Sequence, residues 1–147
     1  MKHKKKWCSV FFFIVLLGCS DSTEIPLPEI RLHCLTNHCL NDTTARFIAV
    51  LSRESCDFLQ FSMIATLSQQ EVFCDSVDGC KANVNRWFDD RGEVIEKIPS
   101  GSYWLCSVLD FSGNYPNIKE GDSFARNLLQ LNGTQLVENI TYWEDVE

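Results

Sequence analysis

The hydrophobic residues of this chain form one unbroken run near the N-terminus and then a series of short segments separated by turn residues. Several short segments alternate apolar and polar residues with a period of two, which is typical of β-strands. The segments cover residues 46–51, 59–67, 71–74, 82–88, 94–98, 102–109, 128–131 and 136–143. This spacing predicts one all-β domain, a sandwich or a barrel, over residues 30–147.

One segment carries apolar residues on both of its faces. Positions 103, 105 and 109 form one apolar set, and positions 104, 106 and 108 form the other. Successive side chains of a strand point to opposite faces, so both faces of this strand are expected to be buried.

The turns and two ambiguous segments complete the predicted domain. Asn132-Gly133 lies between two apolar runs, which is the strongest short-range signal for a β-hairpin. Two other segments could be short helices: one capped by Thr43 or Thr44 and running to residue 51, the other capped by Ser123 and ending before Gly133. Short apolar runs do not distinguish helix from strand, so both alternatives stay open here.

The N-terminal apolar run covers residues 10–17 and follows four lysines at positions 2, 4, 5 and 6. A membrane-spanning helix needs roughly 20 apolar residues, so the run is too short to be one. A basic region, a short apolar region and the small residue Gly18 are typical of an export signal. We therefore predict a signal peptide over residues 1–18.

The segment Leu16-Leu17-Gly18-Cys19 resembles the lipobox of bacterial lipoproteins. The resemblance implies cleavage before Cys19, a diacylglycerol on its sulfur and usually a third acyl chain; two or three chains anchor a protein stably. Because Ser20, rather than Asp, follows Cys19, the resemblance also implies delivery to the outer membrane, facing the periplasm or the cell surface. Residues 19–29, with two prolines, are expected to form a lipidated tether.

Charge and cysteine content fit an exported protein. The chain has a formal charge of −7. Cleavage removes four basic and no acidic residues, which makes the balance −11; this argues against nucleic acid as a partner. Six cysteines remain besides Cys8 and Cys19, an even number that predicts a disulfide framework. Fifteen pairings are possible. Proximity suggests Cys34–Cys39 and Cys74–Cys80, which leaves Cys56–Cys106.

The C-terminal half resembles a known sandwich family. The residues that carry the likeness are Gly92, Ile98-Pro99-Ser100-Gly101-Ser102-Tyr103-Trp104-Leu105, Asp110-Phe111-Ser112-Gly113-Asn114 and Glu120-Gly121-Asp122. This pattern resembles the closing strands of the prealbumin-like, carboxypeptidase-regulatory-like domains. The resemblance implies an immunoglobulin-like antiparallel β-sandwich, a fold that in this family serves as a structural or binding module.

The acidic loop at residues 110–122 is a candidate calcium site. Calcium takes six to eight oxygen ligands, often from alternating positions of an acidic loop. The candidate ligands are Asp110, Ser112, Asn114 and Asp122. A solvated loop without a metal is the alternative, because Ser112 stands where an acidic residue would strengthen the site. No other cofactor is expected.

Other chemistry is poorly supported. His33-Cys34 and His38-Cys39 have the residue types of a zinc or copper site, but outside the cytosol these cysteines are expected to be oxidised. No nucleophile has an evident base nearby, so we expect a non-catalytic protein.

Two functions of different classes fit the sequence. The first is a membrane-anchored lipoprotein that acts as a binding or structural module and docks a protein component of the bacterial envelope. The second is a periplasmic inhibitor or immunity protein against a lytic enzyme or toxin. The segment from Ser100 to Tyr103 partly resembles one found in lysozyme inhibitors.

Overall fold

The computed structural model describes residues 23–56, 63–113, 115, 117–134 and 136–147. The expected signal peptide, Cys19 and Asn114 lie outside the described residues, as does the first part of the predicted strand 59–67. The described strands are β1 (Glu24–Pro26), β2 (Glu29–Cys34), β3 (Thr43–Ser52), β4 (Met63–Asp75), β5 (Gly79–Val84), β6 (Trp87–Phe88), β7 (Val94–Ile95), β8 (Lys97–Pro99), β9 (Gly101–Asp110), β10 (Ser123–Leu131), β11 (Val137–Ile140) and β12 (Glu144–Asp145). The all-β class is confirmed.

Both helix alternatives are wrong, because those segments are β3 and β10. The odd-numbered residues of β3 from 45 to 51 enter the main core, whereas Ile48 and Val50 belong to a second apolar cluster on the opposite face. Only a strand places alternate residues on opposite faces. Burial on both faces makes the sequence read as a continuous apolar run, which conceals the period of two.

The expected two-sided strand is confirmed in β9. Tyr103, Leu105 and Leu109 are completely buried in the main core. On the other face Cys106 joins the second cluster with Trp104 packed against it, and Val108 is also buried. Because β9 is packed on both faces, the turn before it and the loop that begins at residue 111 start from fixed positions.

Hydrogen bonds join ten of the described strands into one sheet, whose main order is β11-β2-β5-β4-β3-β9-β10-β12. Neighbours along this path are antiparallel except β11 and β2, which are parallel, so the expected antiparallel sheet is in fact mixed. β1 and β8 form a separate two-stranded sheet. The all-β class and the disulfides hold, whereas the immunoglobulin-like sandwich type stays a prediction.

The sheet curls until its two ends approach each other. β11 and β12 stand at opposite ends of the strand order, yet only residues 141–143 separate them in the chain. Four peptide steps span at most about 14 Å. Trp143 in this short link packs edge-on against Phe47 of the central strand β3, with ring centroids 6.5 Å apart. The register shifts near Leu51 in the β3–β4 pair add to the bend, as bulges do.

The hairpin predicted at Asn132-Gly133 is wrong in its pairing. The chain does turn there, but β11 pairs with β2 instead of β10, and only β12 returns to pair with Ser123 and Phe124. Between β10 and β11 the contact is a side-chain one, from Asn127 Nδ2 to Glu138 Oε1 at 3.4 Å. Pairing with β2 allows Ile140 to be completely buried. The free energy gained by this burial favours the β2 pairing over the β10–β11 hairpin that Asn132-Gly133 would otherwise promote.

The domain begins earlier than residue 30. β1 pairs with β8, and Ile25 is only 2% exposed. Trp87 Nε1 donates a hydrogen bond of 2.9 Å to the carbonyl oxygen of Pro28. The expected tether is therefore shortened, because residues 24–28 are held against the body of the domain.

The strand directions separate two ends of the domain. β2, β4 and β9 finish at the same end at which β3, β5 and β10 begin. Residues 35–42, 76–78, 111–113, 115, 117–122 and 146–147 therefore gather there, and we call this the loop end. The chain enters β2 at the opposite end, one strand length away, which is roughly 20 Å for six residues.

The contact between β10 and β11 leads to a pH prediction. Partial burial raises the pKa of the Glu138 carboxyl above its ordinary value of 4.5. The folded state then holds this proton more tightly, so stability falls as the pH rises from about 4.5 through the raised value. Glu138→Gln should increase the free energy of unfolding at pH 7 by roughly 0.3 kcal/mol, since solvent screens most of the effect. Urea unfolding at pH 7 and pH 3.5 tests this; an equal gain at both values would contradict it.

Candidate functional site

Two disulfides reinforce the loop end. Cys34 is joined to Cys39 and Cys74 to Cys80, and all four residues are completely buried. Cys80 is the register partner of both Cys34 and Cys74, so the two disulfides lie side by side. The third disulfide joins Cys56 to Cys106 on the opposite face of β9. The first two are the pairs that proximity in the sequence suggested, and the third is the pair that they leave over.

The turn between β4 and β5 is fixed in shape. Gly79 has a φ of +68°, and a Cβ there would overlap the carbonyl oxygen of Cys34. The Asp75 carboxylate accepts N–H bonds from Asp78 and Val77, and these bonds lower its pKa. The rigid turn holds Val77 82% exposed to solvent.

Asp110, at the end of β9, organises the loop that follows. Its Oδ2 accepts a 2.9 Å bond from Arg46 Nη2 and another from the backbone of Tyr115 at 3.2 Å. Its Oδ1 accepts the Gly113 N–H at 2.6 Å and the Ser112 hydroxyl at 3.2 Å. The Asp110 side chain is 1% exposed, whereas that of Arg46 is 41% exposed.

Asp122 fixes the other end of the same loop. Its Oδ1 accepts the N–H of Phe111 at 3.1 Å and that of Ser112 at 3.3 Å. Its Oδ2 accepts the N–H of Lys119 at 3.0 Å. Two buried carboxylates thus accept hydrogen bonds from backbone N–H groups along the loop and fix its shape.

The structure brings three of the four candidate calcium ligands together: Asp110, Ser112 and Asp122. Their carboxylate oxygens point at N–H and O–H donors, which a cation would have to displace. Among the described residues, no group of three or more His, Cys, Asp and Glu side chains is placed to hold a metal ion. The geometry supports a capping role for both aspartates, and calcium binding stays a prediction.

The histidines serve structural contacts. His33 Nε2 lies 3.2 Å from the carbonyl oxygen of Asp78, and His38 Nδ1 lies 3.3 Å from Asp145 Oδ1. The buried Ser123 hydroxyl donates to the same Asp145 oxygen at 2.6 Å. The carboxylate therefore stands between hydroxyl and imidazole, whereas nucleophilic catalysis needs the base next to the hydroxyl. This cluster ties the loop after β2 to β10 and β12.

The segment that partly resembles lysozyme inhibitors has its tyrosine inside the fold. Tyr103 is completely buried, and its hydroxyl donates a 2.7 Å bond to the carbonyl oxygen of Pro99. Ser102 remains exposed and bonds to Gln130. The Pro-x-Gly-x-Tyr pattern thus fixes the turn between β8 and β9.

An open hollow that no sequence pattern predicted lies near the loop end, with both apolar and polar side chains in its lining. It has a volume of about 440 Å³ and lies where β3 and β4 meet the loop after β9. Its lining includes Thr44, Arg46, Gln69, Glu71, Asp110 and Phe111. These residues come from three separate segments, and only the strand registers bring them together.

Comparison with known proteins finds no matching family, no similar curated protein and no similar solved structure. Within the described part of the chain, no helix is long and apolar enough to cross a bilayer.

Proposed function

We propose that this chain is a lipoprotein, held at the outer membrane through lipid on Cys19, that acts as a non-catalytic binding module of the bacterial envelope. The observation that carries the proposal is the division between the two ends of the domain. The chain enters β2 at one end, while two disulfides and two buried aspartates stiffen the loops at the other. A rigid scaffold that holds loops away from an anchor is suited to binding.

Exposed apolar residues in the loop end and in the last residues of β4 before it, at residue 73, support this use. Leu35 is 52% exposed, Phe73 is 65% exposed and Val77 is 82% exposed. Phe73 and Val77 stand on either side of Cys74 and its disulfide, so their positions are fixed. Aromatic and apolar side chains held rigidly at a surface are typical of contact sites.

The anchor is tested by Cys19→Ser. The wild-type protein should sediment with outer membranes and show the mass of two or three acyl chains with three disulfides. The variant should be soluble, because a single sulfur carries the diacylglycerol whose chains supply the membrane affinity. Unchanged processing and unchanged membrane fractionation of Cys19→Ser would refute the proposal of a lipid anchor.

The proposed binding role of the loop end is tested by site-specific photo-crosslinking in intact cells. A crosslinker at Val77 should capture an envelope component. One at Val94 should not, although Val94 is also exposed, because β7 joins the sheet through β6 at Leu67, away from the loop end. Capture at Val94 alone would place the contact elsewhere and overturn this part of the proposal.

A further inference from the structure

The register of β3 and β4 places an exposed aromatic residue, Phe73, beside the hollow, opposite the lining residue Thr44. Thr44 faces Phe73 across the two strands, and Arg46 faces Glu71. Directly opposed residues of an antiparallel pair have Cβ atoms about 5 Å apart, and residues two positions along a strand lie about 7 Å apart on the same face. Phe73 therefore borders the hollow, and 65% of its surface is exposed.

The polar groups of the hollow combine a fixed donor with an open acceptor. The Arg46 guanidinium is oriented by Asp110, through the 2.9 Å bond from Nη2 to Oδ2, instead of pairing with Glu71 on the facing strand. Glu71 is exposed and forms no ion pair with any described residue. The remaining Arg46 donors, the Glu71 carboxylate and the Gln69 amide are planar groups that bind pairs of adjacent polar atoms.

We propose that this hollow binds a neutral saccharide, with Phe73 against the apolar face of a sugar ring and Arg46, Gln69 and Glu71 bonded to its hydroxyls. The inference rests on the proposed binding function and names its ligand class. The volume of about 440 Å³ falls within the size range of small-molecule sites, roughly 300–1,000 Å³.

The charges disfavour the other simple ligand classes. An anion drawn to Arg46 would meet the carboxylates of Glu71 and Asp110, on a chain with a net charge of −7. A cation drawn to Glu71 would lie next to the Arg46 guanidinium. A wholly apolar ligand would leave these polar groups desolvated and without partners, which is costly. Adjacent hydroxyls can both donate and accept hydrogen bonds, and so can satisfy both kinds of group.

The test uses the full chain purified in detergent, whether or not it carries lipid. Its binding is measured on an array of neutral oligosaccharides. Phe73→Ala and Glu71→Gln should each weaken saccharide binding at least tenfold. Leu128→Ala is the matched control, because Leu128 is a similarly exposed apolar residue on β10 and should leave binding within twofold. Circular dichroism confirms that each variant is folded.

The outcomes separate this inference from the proposed function. Saccharide binding that is lost in Phe73→Ala and kept in Leu128→Ala supports it. Binding to none of the arrayed neutral glycans overturns it, as does binding that Phe73→Ala leaves unchanged. If Phe73→Ala instead abolishes capture of an envelope protein at the loop end, the surface is a protein contact: the saccharide is then wrong, while the binding module stands. Failure of Cys19→Ser to release the protein would affect the anchor alone.

Discussion

Replacement of Cys56 and Cys106 together by alanine should lower the free energy of unfolding by about 4 kcal/mol, the largest loss expected for any of the three disulfides. The bond joins residues that are 50 positions apart, so it removes the most conformational freedom from the unfolded chain. It also holds residue 56 against the second apolar cluster, which is formed by Ile48, Val50 and Cys106.

The matched comparison is the double alanine variant of Cys34 and Cys39. These residues are separated by only five positions, so the same entropy argument gives about 2 kcal/mol. Both variants remove two sulfur atoms from the fold. Guanidinium unfolding of the oxidised proteins measures both losses. A loss for the 56–106 variant no larger than that for the 34–39 variant would contradict the explanation through loop closure.

The second large effect is expected from Asp110→Ala, which should reduce stability by about 3 kcal/mol. The substitution removes the partner of Arg46 and leaves the N–H groups of Gly113 and Tyr115 without their carboxylate. The carboxylate is itself buried, whereas Gly113 is exposed and Tyr115 is half-buried, so water can replace part of the lost bonding to their N–H groups. Hydrogen bonds to a charged group contribute about 1.5–3 kcal/mol each, and the contributions are not additive.

Asp78→Ala serves as the control for this substitution. Asp78 forms an exposed ion pair with Lys81, with side chains 63% and 55% exposed, and such pairs contribute less than about 1 kcal/mol. The same unfolding experiment in calcium and in chelator also tests the metal hypothesis. If the carboxylates only cap the loop, the wild-type midpoint should be the same in both; a midpoint that rises with calcium would restore the calcium site. An Asp110→Ala loss no greater than that of Asp78→Ala would show that the capping bonds contribute little.

Local patterns in the sequence predicted a large part of the fold. The apolar sets at alternate positions of 103–109 identify a strand buried on both faces, because successive side chains of a strand point to opposite faces of the sheet. The two disulfides suggested by proximity, Cys34–Cys39 and Cys74–Cys80, are present in the structure, because cysteines that a short loop separates readily meet. Cys56–Cys106 is the pair that these two leave over.

What the sequence could not predict depends on contacts between distant segments. Asn132-Gly133 correctly marks a turn, but no local pattern shows that β11 leaves β10 to pair with β2. The hollow has the same origin, because Arg46, Glu71 and Asp110 meet only when β4, β3 and β9 are placed in register. The sequence of the acidic loop shows side-chain oxygen atoms and so predicts a calcium site. Which backbone N–H groups bond to those oxygens depends on the folded shape of the loop.

Residues 137–145 supply the outermost strand at both edges of the curled sheet, so the sheet is complete only after the end of the chain has folded. A chain that crosses a membrane from its N-terminus exposes β2 and β10 as unprotected margins until these late residues arrive. Such margins readily pair with other chains. Contacts between segments so far apart in sequence also form slowly. The proposed export of this chain therefore predicts that a periplasmic holdase shields the incomplete sheet.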